Sequence, residues 1–227
     1  MLEIILDTET TGLSTADKHR IVEIGCIELK NQISTGKIFH KYLNPQRKVS
    51  DEAYKVHGYS DKFLSDNENF FEIAESFLNF IKDKKIIIHN ASFDLSFLNY
   101  ELSIINKKRI DRKNIIDTLE VARQKYPGSQ NSLDALCKRF NIDNSRREKH
   151  NALIDCQLLK EIYINLLDKK EPKLNLTNTE FLESKYKNNK NNFTKNNKFK
   201  NVIRPSSEEL VLHKKYLKSH LQKNFYN

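Results

Sequence analysis

The sequence has few cysteines and no long apolar run, and both absences exclude classes of protein. Its three cysteines, Cys26, Cys137 and Cys156, lie far apart and form no C-x-x-C pair, so neither a disulfide framework nor a zinc knuckle is predicted. No apolar stretch reaches the roughly 18 residues that a membrane-spanning helix needs, and no basic segment with an apolar run behind it marks the N-terminus. We therefore expect a soluble cytoplasmic protein with no targeting segment and no membrane partner.

The first 167 residues also lack an excess of either charge. They hold 25 Lys and Arg against 24 Asp and Glu, whereas residues 168–227 hold 14 against 6, so these two parts carry +1 and +8 of the total +9. Any basic groove in the first part must therefore come from local clustering. Residues 168–200 contain nine Lys, eight Asn and no Arg, which predicts a flexible linker, although coding bias tolerated in a disordered segment would produce the same composition.

Strands and helices alternate through the first 167 residues. A three-strand meander is predicted over Leu2–Leu6, Ile21–Leu29 and Lys37–Leu43, with further strands at Lys85–His89 and near Ile115. Apolar residues at helical spacing predict helices over Phe70–Lys82, Phe93–Ile105, Asp117–Lys125, Ser132–Phe140 and Ala152–Leu167, and Asn90 is a candidate cap for the second of them. This order predicts an α/β fold with a mixed sheet flanked by helices.

The chain thus divides into a folded domain (1–167), the Lys/Asn-rich linker (168–200) and a C-terminal segment (201–227). Within that segment, Glu208–Gln222 regains helical periodicity behind a candidate cap at Ser206 or Ser207. A short helix on a tether usually serves to bind a partner.

Two acids one residue apart follow the first apolar strand, in "ILDTETTG" at 5–12. Residues two apart on a strand point to the same face, so Asp7 and Glu9 can aim their carboxylates into one volume. Clustered carboxylates away from water repel each other unless a divalent cation lies among them. The spacing by itself is weak evidence, because Asp66 and Glu68 repeat it in a polar stretch.

Further candidate groups lie where other strands meet helices. Asp94 follows the strand at Lys85–His89 and can face Asp7 if the two strands are neighbours; an acid in the first turn that complements the helix dipole is the alternative. Asp155 is expected in the second turn of the last helix. His150 precedes that helix and can serve as a general base from a loop, although a histidine beside "RREK" is more often a solvated surface residue.

Three motifs in this order carry a family resemblance. "DTETTG" at 7–12, "HNASFD" at 89–94 and "HNALIDCQLL" at 150–159 resemble those of the DEDDh exonucleases. "VHGYSDKFL" at 56–64, "NSLDALCKRFNIDNS" at 131–145 and "FKNVIRPSSEEL" at 199–210 are similar to the proofreading (epsilon) subunits of bacterial DNA polymerase III within that family.

The resemblance implies a ribonuclease H-like fold and 3′–5′ hydrolysis of DNA with two divalent metal ions, Mg²⁺ or Mn²⁺. By family analogy Asp7 binds both ions, Glu9 and Asp155 complete the first site, and Asp94 supports the second. His150 is the general base.

Substrate and partner contacts follow from the same resemblance. Asp7, Glu9 and Asp155, together with Glu52 and His57, match positions that contact the terminal nucleotide, although the last two also suit a polar helix surface. Leu13 and Phe93 can wall a slot for a base.

The expected partners are a DNA 3′ end and the polymerase III alpha subunit, the latter through the C-terminal segment. "LTNTEF" at 176–181 lacks the leading glutamine of a clamp-binding motif, which puts a direct sliding-clamp contact in question, and nothing in the sequence indicates a small theta-type partner.

Two other functions remain open on the sequence. A freestanding DEDDh ribonuclease that trims RNA 3′ ends would share the catalytic residues but usually lacks such a tail. A catalytically idle scaffold for the polymerase is the second alternative, which the complete set of four carboxylates and a histidine disfavours.

Overall fold

The computed structural model describes residues 1–145, 147, 149–167 and 205–220 of the chain. Among these residues, no helix combines the length and the apolar character needed to cross a membrane. The chain divides into two units, and the described residues of each, 1–167 and 205–220, are taken separately.

The first unit is built on a five-stranded mixed sheet in the order β3-β2-β1-β4-β5. The strands are β1 (Leu2–Thr10), β2 (Ile21–Lys30), β3 (Ile33–Tyr42), β4 (Lys85–Ile88) and β5 (Ile115–Asp117). Strands β1, β2 and β3 form an antiparallel meander, and β4 and β5 add to the other side of β1 in parallel. The predicted mixed sheet is confirmed.

Seven helices of this unit surround the sheet within the described residues. They are α1 (Asp51–His57), α2 (Asp61–Ser65), α3 (Phe70–Ile81), α4 (Ala91–Ile104), α5 (Thr118–Lys125), α6 (Leu133–Phe140) and α7 (Ala152–Leu166). Because side chains alternate along a strand, Ile4 and Leu6 of β1 pack against α3 and α4 on one face. Ile5 packs against α7 on the other face, and α5 and α6 cover the outer side of α7.

The predicted strands and helices of this unit are present, and the structure differs from the prediction in two instructive ways. Strand β3 begins at Ile33 rather than Lys37, because Asn31 and Gln32 both take positive φ, 52° and 69°, and close a two-residue hairpin turn. Helices α1 and α2 were not predicted. They are short, at 7 and 5 residues, and each is capped by a serine, Ser50 or Ser60, rather than defined by an apolar stripe.

The expected cap at Asn90 is wrong in its mechanism. Asn90 stands at the N-cap position in a left-handed conformation, φ 68°, and its side chain makes no capping hydrogen bond. Asp117 at the end of β5 replaces it, because its carboxylate accepts the backbone N–H groups of Asn90 and Ala91 at 3.1 and 3.0 Å. The neighbouring parallel strand therefore caps α4 from outside the helix.

The second unit contributes helix α8 (Ser207–His220). Ser206 is confirmed as its cap: the Ser206 hydroxyl accepts the Glu209 N–H at 3.2 Å, and the Glu209 carboxylate accepts the Ser206 N–H at 2.7 Å. This is a reciprocal capping box. The predicted linker, the stretch 176–181 and residues 221–222 of the predicted helix lie outside the described residues.

Candidate active site

The two acids of the first motif lie within β1 rather than at its end. Strand β1 continues beside β2 as far as Thr10, with Asp7 opposite Gly25 and Glu9 opposite Glu23. The parallel pairing with β4 stops at Ile5. The predicted end of this strand at Leu6 is therefore corrected: Asp7 and Glu9 belong to β1, beyond the end of its parallel pairing with β4, where β2 alone still pairs with the backbone.

Asp94 reaches the same place from α4. Because β1 and β4 are parallel neighbours, the first turn of α4 starts beside the half of β1 that β4 leaves unpaired, as the sequence predicted for neighbouring strands. The Thr8 hydroxyl donates to Asp94 Oδ1 at 2.7 Å, and the Asp94 side chain is buried. Thr8 thus fixes a carboxylate that the motif spacing alone could not orient.

Asp155 arrives from the opposite face of the sheet on α7. It is the fourth residue of that helix and belongs to its first turn, not its second as expected. The close approach depends on Gly25, where a Cβ atom would lie 2.6 Å from the carbonyl carbon of Ala152 and 2.7 Å from its oxygen. The absent side chain lets the start of α7 rest against β2 beside Asp7.

One cavity of about 690 Å³ brings all the predicted site residues together. Its lining includes the seven side chains Asp7, Glu9, Glu52, His57, Asp94, His150 and Asp155, and the predicted base-slot residues Leu13 and Phe93. Glu52 is exposed on α1, whereas His57 at the end of that helix is buried. Leu13 is 84% exposed at the rim, as a side chain available for stacking would be.

The carboxylates raise one another's proton affinity. Burial, followed by the charges of Asp94, Glu9 and Asp155, holds the pKa of Asp7 well above its usual range. Burial and Asp155 raise the pKa of Glu9 to about 8, and burial raises that of Asp94 to about 7 despite the opposing Thr8 hydrogen bond. Such a cluster is suited to a cation, which would relieve both the desolvation and the repulsion.

Arg147 is a site residue that sequence reasoning missed. Its Nε and Nη2 donate to the two oxygens of Asp155 at 2.5 and 2.8 Å, and its Nη1 donates to both oxygens of Asp134 at 2.9 Å. The guanidinium is almost fully buried, with 7% of the side chain exposed. Nothing in the charged run "SRREKH" distinguishes Arg147 from its neighbours, because only the fold places it between these two acids.

His150 lies just before the cap of α7 with its ring beside the carboxylates. Its Nδ1 is 3.9 Å from Glu9 Oε1 and 3.7 Å from Asp155 Oδ2, and it contacts Arg147 Nη2 at 2.9 Å. Burial and the charge of Arg147 lower the pKa of His150 below its usual value. The imidazole is therefore neutral at physiological pH and able to accept a proton.

The donor set fits a hard divalent cation. Ligand atoms of Glu9, His150 and Asp155 lie within 4.8 Å of one another, and Asp7 and Asp94 line the same cavity. Carboxylate oxygens are the ligands that magnesium and manganese prefer.

Comparison with known proteins agrees with this geometry. Residues 4–163 match the exonuclease family model RNase_T. The chain is 47% identical over 223 residues to the DNA polymerase III subunit epsilon of Rickettsia felis, which covers 97% of both chains. It is 46% identical over 170 residues to the same subunit of Escherichia coli K12, covering 71% of this chain and 70% of that one.

Solved structures share the fold. The nuclease domain of 3′hExo, described as a DEDDh family member bound to rAMP, superimposes with a TM-score of 0.65 at 18% identity, covering 74% of this chain and 92% of that one. Exonuclease I superimposes with a TM-score of 0.65 at 18% identity, covering 75% of this chain and 41% of that one. These likenesses confirm the predicted ribonuclease H-like architecture. By its family model and its relatives, the chain belongs to the exonuclease family and, within it, to the epsilon subunits of DNA polymerase III.

Proposed function

We propose that this chain is the proofreading 3′–5′ exonuclease of DNA polymerase III and hydrolyses the terminal nucleotide of a mispaired primer. The observation that carries the proposal is the single cavity in which four carboxylates and a neutral imidazole meet. The products are a nucleoside 5′-monophosphate and a primer shortened by one residue. The chain matches epsilon subunits over nearly its whole length, which supports DNA as the substrate.

Four carboxylates would hold two divalent ions, Mg²⁺ or Mn²⁺. In this assignment Asp7 is shared by both ions, Glu9 and Asp155 complete the first site, and Asp94 supports the second. When bound, the ions supply Lewis-acid stabilisation of the charge that builds up on the phosphate. Arg147 would compete with the metal ion for Asp155, since the guanidinium already donates to both oxygens of that carboxylate. Asp134 is a second carboxylate to which Arg147 can remain bound.

His150 acts as the general base. A neutral imidazole that accepts an Arg147 N–H at Nδ1 carries its own proton on Nε2. Nδ1 is therefore the nitrogen that takes the proton of the attacking water, once the hydrogen bond from Arg147 to Nδ1 is broken. The backbone N–H of His150 donates to the Val56 carbonyl at 3.1 Å, which keeps the residue at the cavity mouth.

The terminal nucleotide would be held by contacts that do not read its base. Glu52 and His57 line the cavity from α1, and Leu13 and Phe93 offer apolar surfaces on which a base can stack. A mispaired 3′ end leaves its duplex more readily than a paired one. Discrimination against errors then comes from the cost of unpairing rather than from recognition of a base.

The test is degradation of a 5′-labelled primer, paired or mismatched at its 3′ end, with magnesium or with EDTA. We expect a metal-dependent ladder that shortens from the 3′ end, faster for the mismatch. His150→Ala should slow it by about 10² to 10⁴-fold, the usual contribution of a general base, and Asp7→Ala should abolish it. Asp66→Ala is the matched control, because Asp66 belongs to the second D-x-E and is exposed outside the cavity.

Other results would assign another function. Trimming of RNA without action on DNA would indicate the freestanding ribonuclease. Inactivity on both nucleic acids would indicate the scaffold, and full magnesium-dependent activity of Asp7→Ala would contradict the shared-metal role of Asp7.

The C-terminal segment 201–227 would bind the polymerase alpha subunit. The observation that supports it is α8, a capped helix near the end of a chain whose linker composition predicts a tether. Deletion of residues 201–227 should leave the exonuclease rate on free primer unchanged and abolish co-purification with alpha. Retention of alpha by the shortened protein would place the contact elsewhere.

A further inference from the structure

Glu23 is a fully buried carboxylate that neither the motifs nor the cavity lining includes. It lies in β2 directly opposite Glu9 of β1, with 0% of the residue exposed. A buried charge is costly unless hydrogen bonds satisfy it. The environment of Glu23 therefore indicates why the fold retains an acid there.

Four donors converge on the two oxygens of Glu23. His40 Nε2 at 2.7 Å and Asn151 Nδ2 at 2.8 Å contact Oε1, while the Tyr59 hydroxyl at 2.7 Å and the Ala152 backbone N–H at 3.0 Å donate to Oε2. These donors come from β3, from the segment after α1 and from the start of α7. The Tyr59 oxygen also accepts Asn151 Nδ2 at 2.9 Å.

Two of these donors define where α7 begins. Asn151 is the N-cap of α7 and accepts the Ile154 N–H through Oδ1 at 3.0 Å, while its Nδ2 donates to Glu23. Ala152 is the first helical residue, and its N–H also donates to Glu23. The carboxylate thus ties the first turn of α7 to β2.

That turn carries the groups that must meet Glu9. His150 directly precedes Asn151, and Asp155 follows Ala152 by three residues. Glu9 is the cross-strand neighbour of Glu23. A shift of α7 relative to β2 would therefore change the separation of His150 and Asp155 from Glu9.

We propose that Glu23 is a positioning residue for the exonuclease reaction, which holds His150 and Asp155 in register with Glu9 by fixing the start of α7. The inference rests on the proposed function. Glu23 does not line the cavity, so its loss alters the geometry of the reacting groups at the start of α7 and leaves in place Glu52, Leu13 and Phe93, which would hold the terminal nucleotide. The effect falls on kcat rather than on KM for the primer.

Glu23→Gln keeps the shape of the side chain but replaces one acceptor oxygen with a donor NH₂, so donors on that side lose their acceptor. Tyr59→Phe removes a single donor hydroxyl. Glu28→Gln is the matched control: Glu28 lies on the same strand, is only 2% exposed, and is bound by Lys84 at 2.6 Å and by the Thr35 hydroxyl at 2.9 Å, outside the cavity.

The experiment is steady-state hydrolysis of single-stranded DNA by the full chain, at saturating magnesium and well below each variant's unfolding temperature. Since displacement of reacting groups by roughly 1 Å can cost about 10²-fold, we expect Glu23→Gln to lower kcat by about tenfold or more, with KM within about threefold. Tyr59→Phe should lower kcat less, and Glu28→Gln should match the wild type.

A kcat of Glu23→Gln equal to that of Glu28→Gln, with active wild type, would overturn the inference and leave the proposed function intact. A rise in KM that accounts for the whole loss would also overturn it. If Glu23→Gln does not fold, an unchanged kcat for Tyr59→Phe has the same meaning. Inactive wild type would instead refute the proposed function itself.

Discussion

The carboxylate cluster predicts that this protein loses stability as pH rises when no divalent ion is available. The pKa of Glu9 is raised from 4.5 to about 8 by burial and by Asp155. A raised folded-state pKa means that the folded chain binds this proton more tightly than the unfolded chain does. Its stabilising contribution is fully present below about pH 4.5 and is lost as pH rises towards about 8.

The size of the effect follows from the same shift. At about 1.4 kcal/mol per pH unit, a rise from 4.5 to about 8 corresponds to a loss of about 5 kcal/mol in the free energy of unfolding. Asp7 and Asp94, whose pKa values are also raised, act in the same direction. Glu9→Gln removes one titrating group, so the variant should lose distinctly less stability between pH 5 and 8.

The assay is urea unfolding in EDTA at pH 5 and pH 8, repeated at pH 8 with magnesium. Wild type should be less stable at pH 8 in EDTA and regain stability with magnesium, since a ligand that binds only the folded state stabilises it. Asp66→Asn should behave as wild type. Equal stability of wild type at the two pH values in EDTA, or an equal loss in Glu9→Gln, would refute the reasoning.

Two further changes test how the site is assembled. Gly25→Ala would place a Cβ 2.6 Å from the backbone of Ala152. Since overpacking costs about 1–3 kcal/mol, urea unfolding should show a loss of that size in the free energy of unfolding, together with reduced exonuclease activity. A variant as stable as the wild type would show that α7 can shift away from β2 at no cost. Arg147→Gln removes a charge that lowers the pKa of His150. The pKa of the base should therefore rise, and the acidic limb of the pH–rate profile should move to higher pH. An unchanged limb, or a shift to lower pH, would contradict the assignment of His150 as the base.

Many residues of the candidate site could be predicted because their spacing along the chain indicates which face or helix end they occupy. Asp7 and Glu9 share one face because side chains alternate along a strand. The order of the elements places Asp94 in the first turn after its strand and Asp155 near the start of the last helix, although the turn expected for Asp155 was one too late. The predicted residues Glu52, His57 and His150 also line the cavity. Glu23 left a detectable signal, an acid within the apolar strand Ile21–Leu29, at a position that a buried strand normally fills with an apolar residue.

Other features required the tertiary structure. Asp117 caps α4 from β5, which no reading of residues near Asn90 could reveal. Arg147 becomes a partner of Asp155 and Asp134 only after α6 and α7 pack together.

The sequence by itself determined the alternation of strands and helices, the acids and the family, because those depend on residues close together along the chain. Only the tertiary structure decided how those residues meet. Gly25 allows α7 to pack closely against β2, Glu23 accepts the N–H of the first residue of α7, and Arg147 pairs with Asp155. The physical reason is that such contacts join residues distant in the chain, and burial gives their charges the influence that they lack in water.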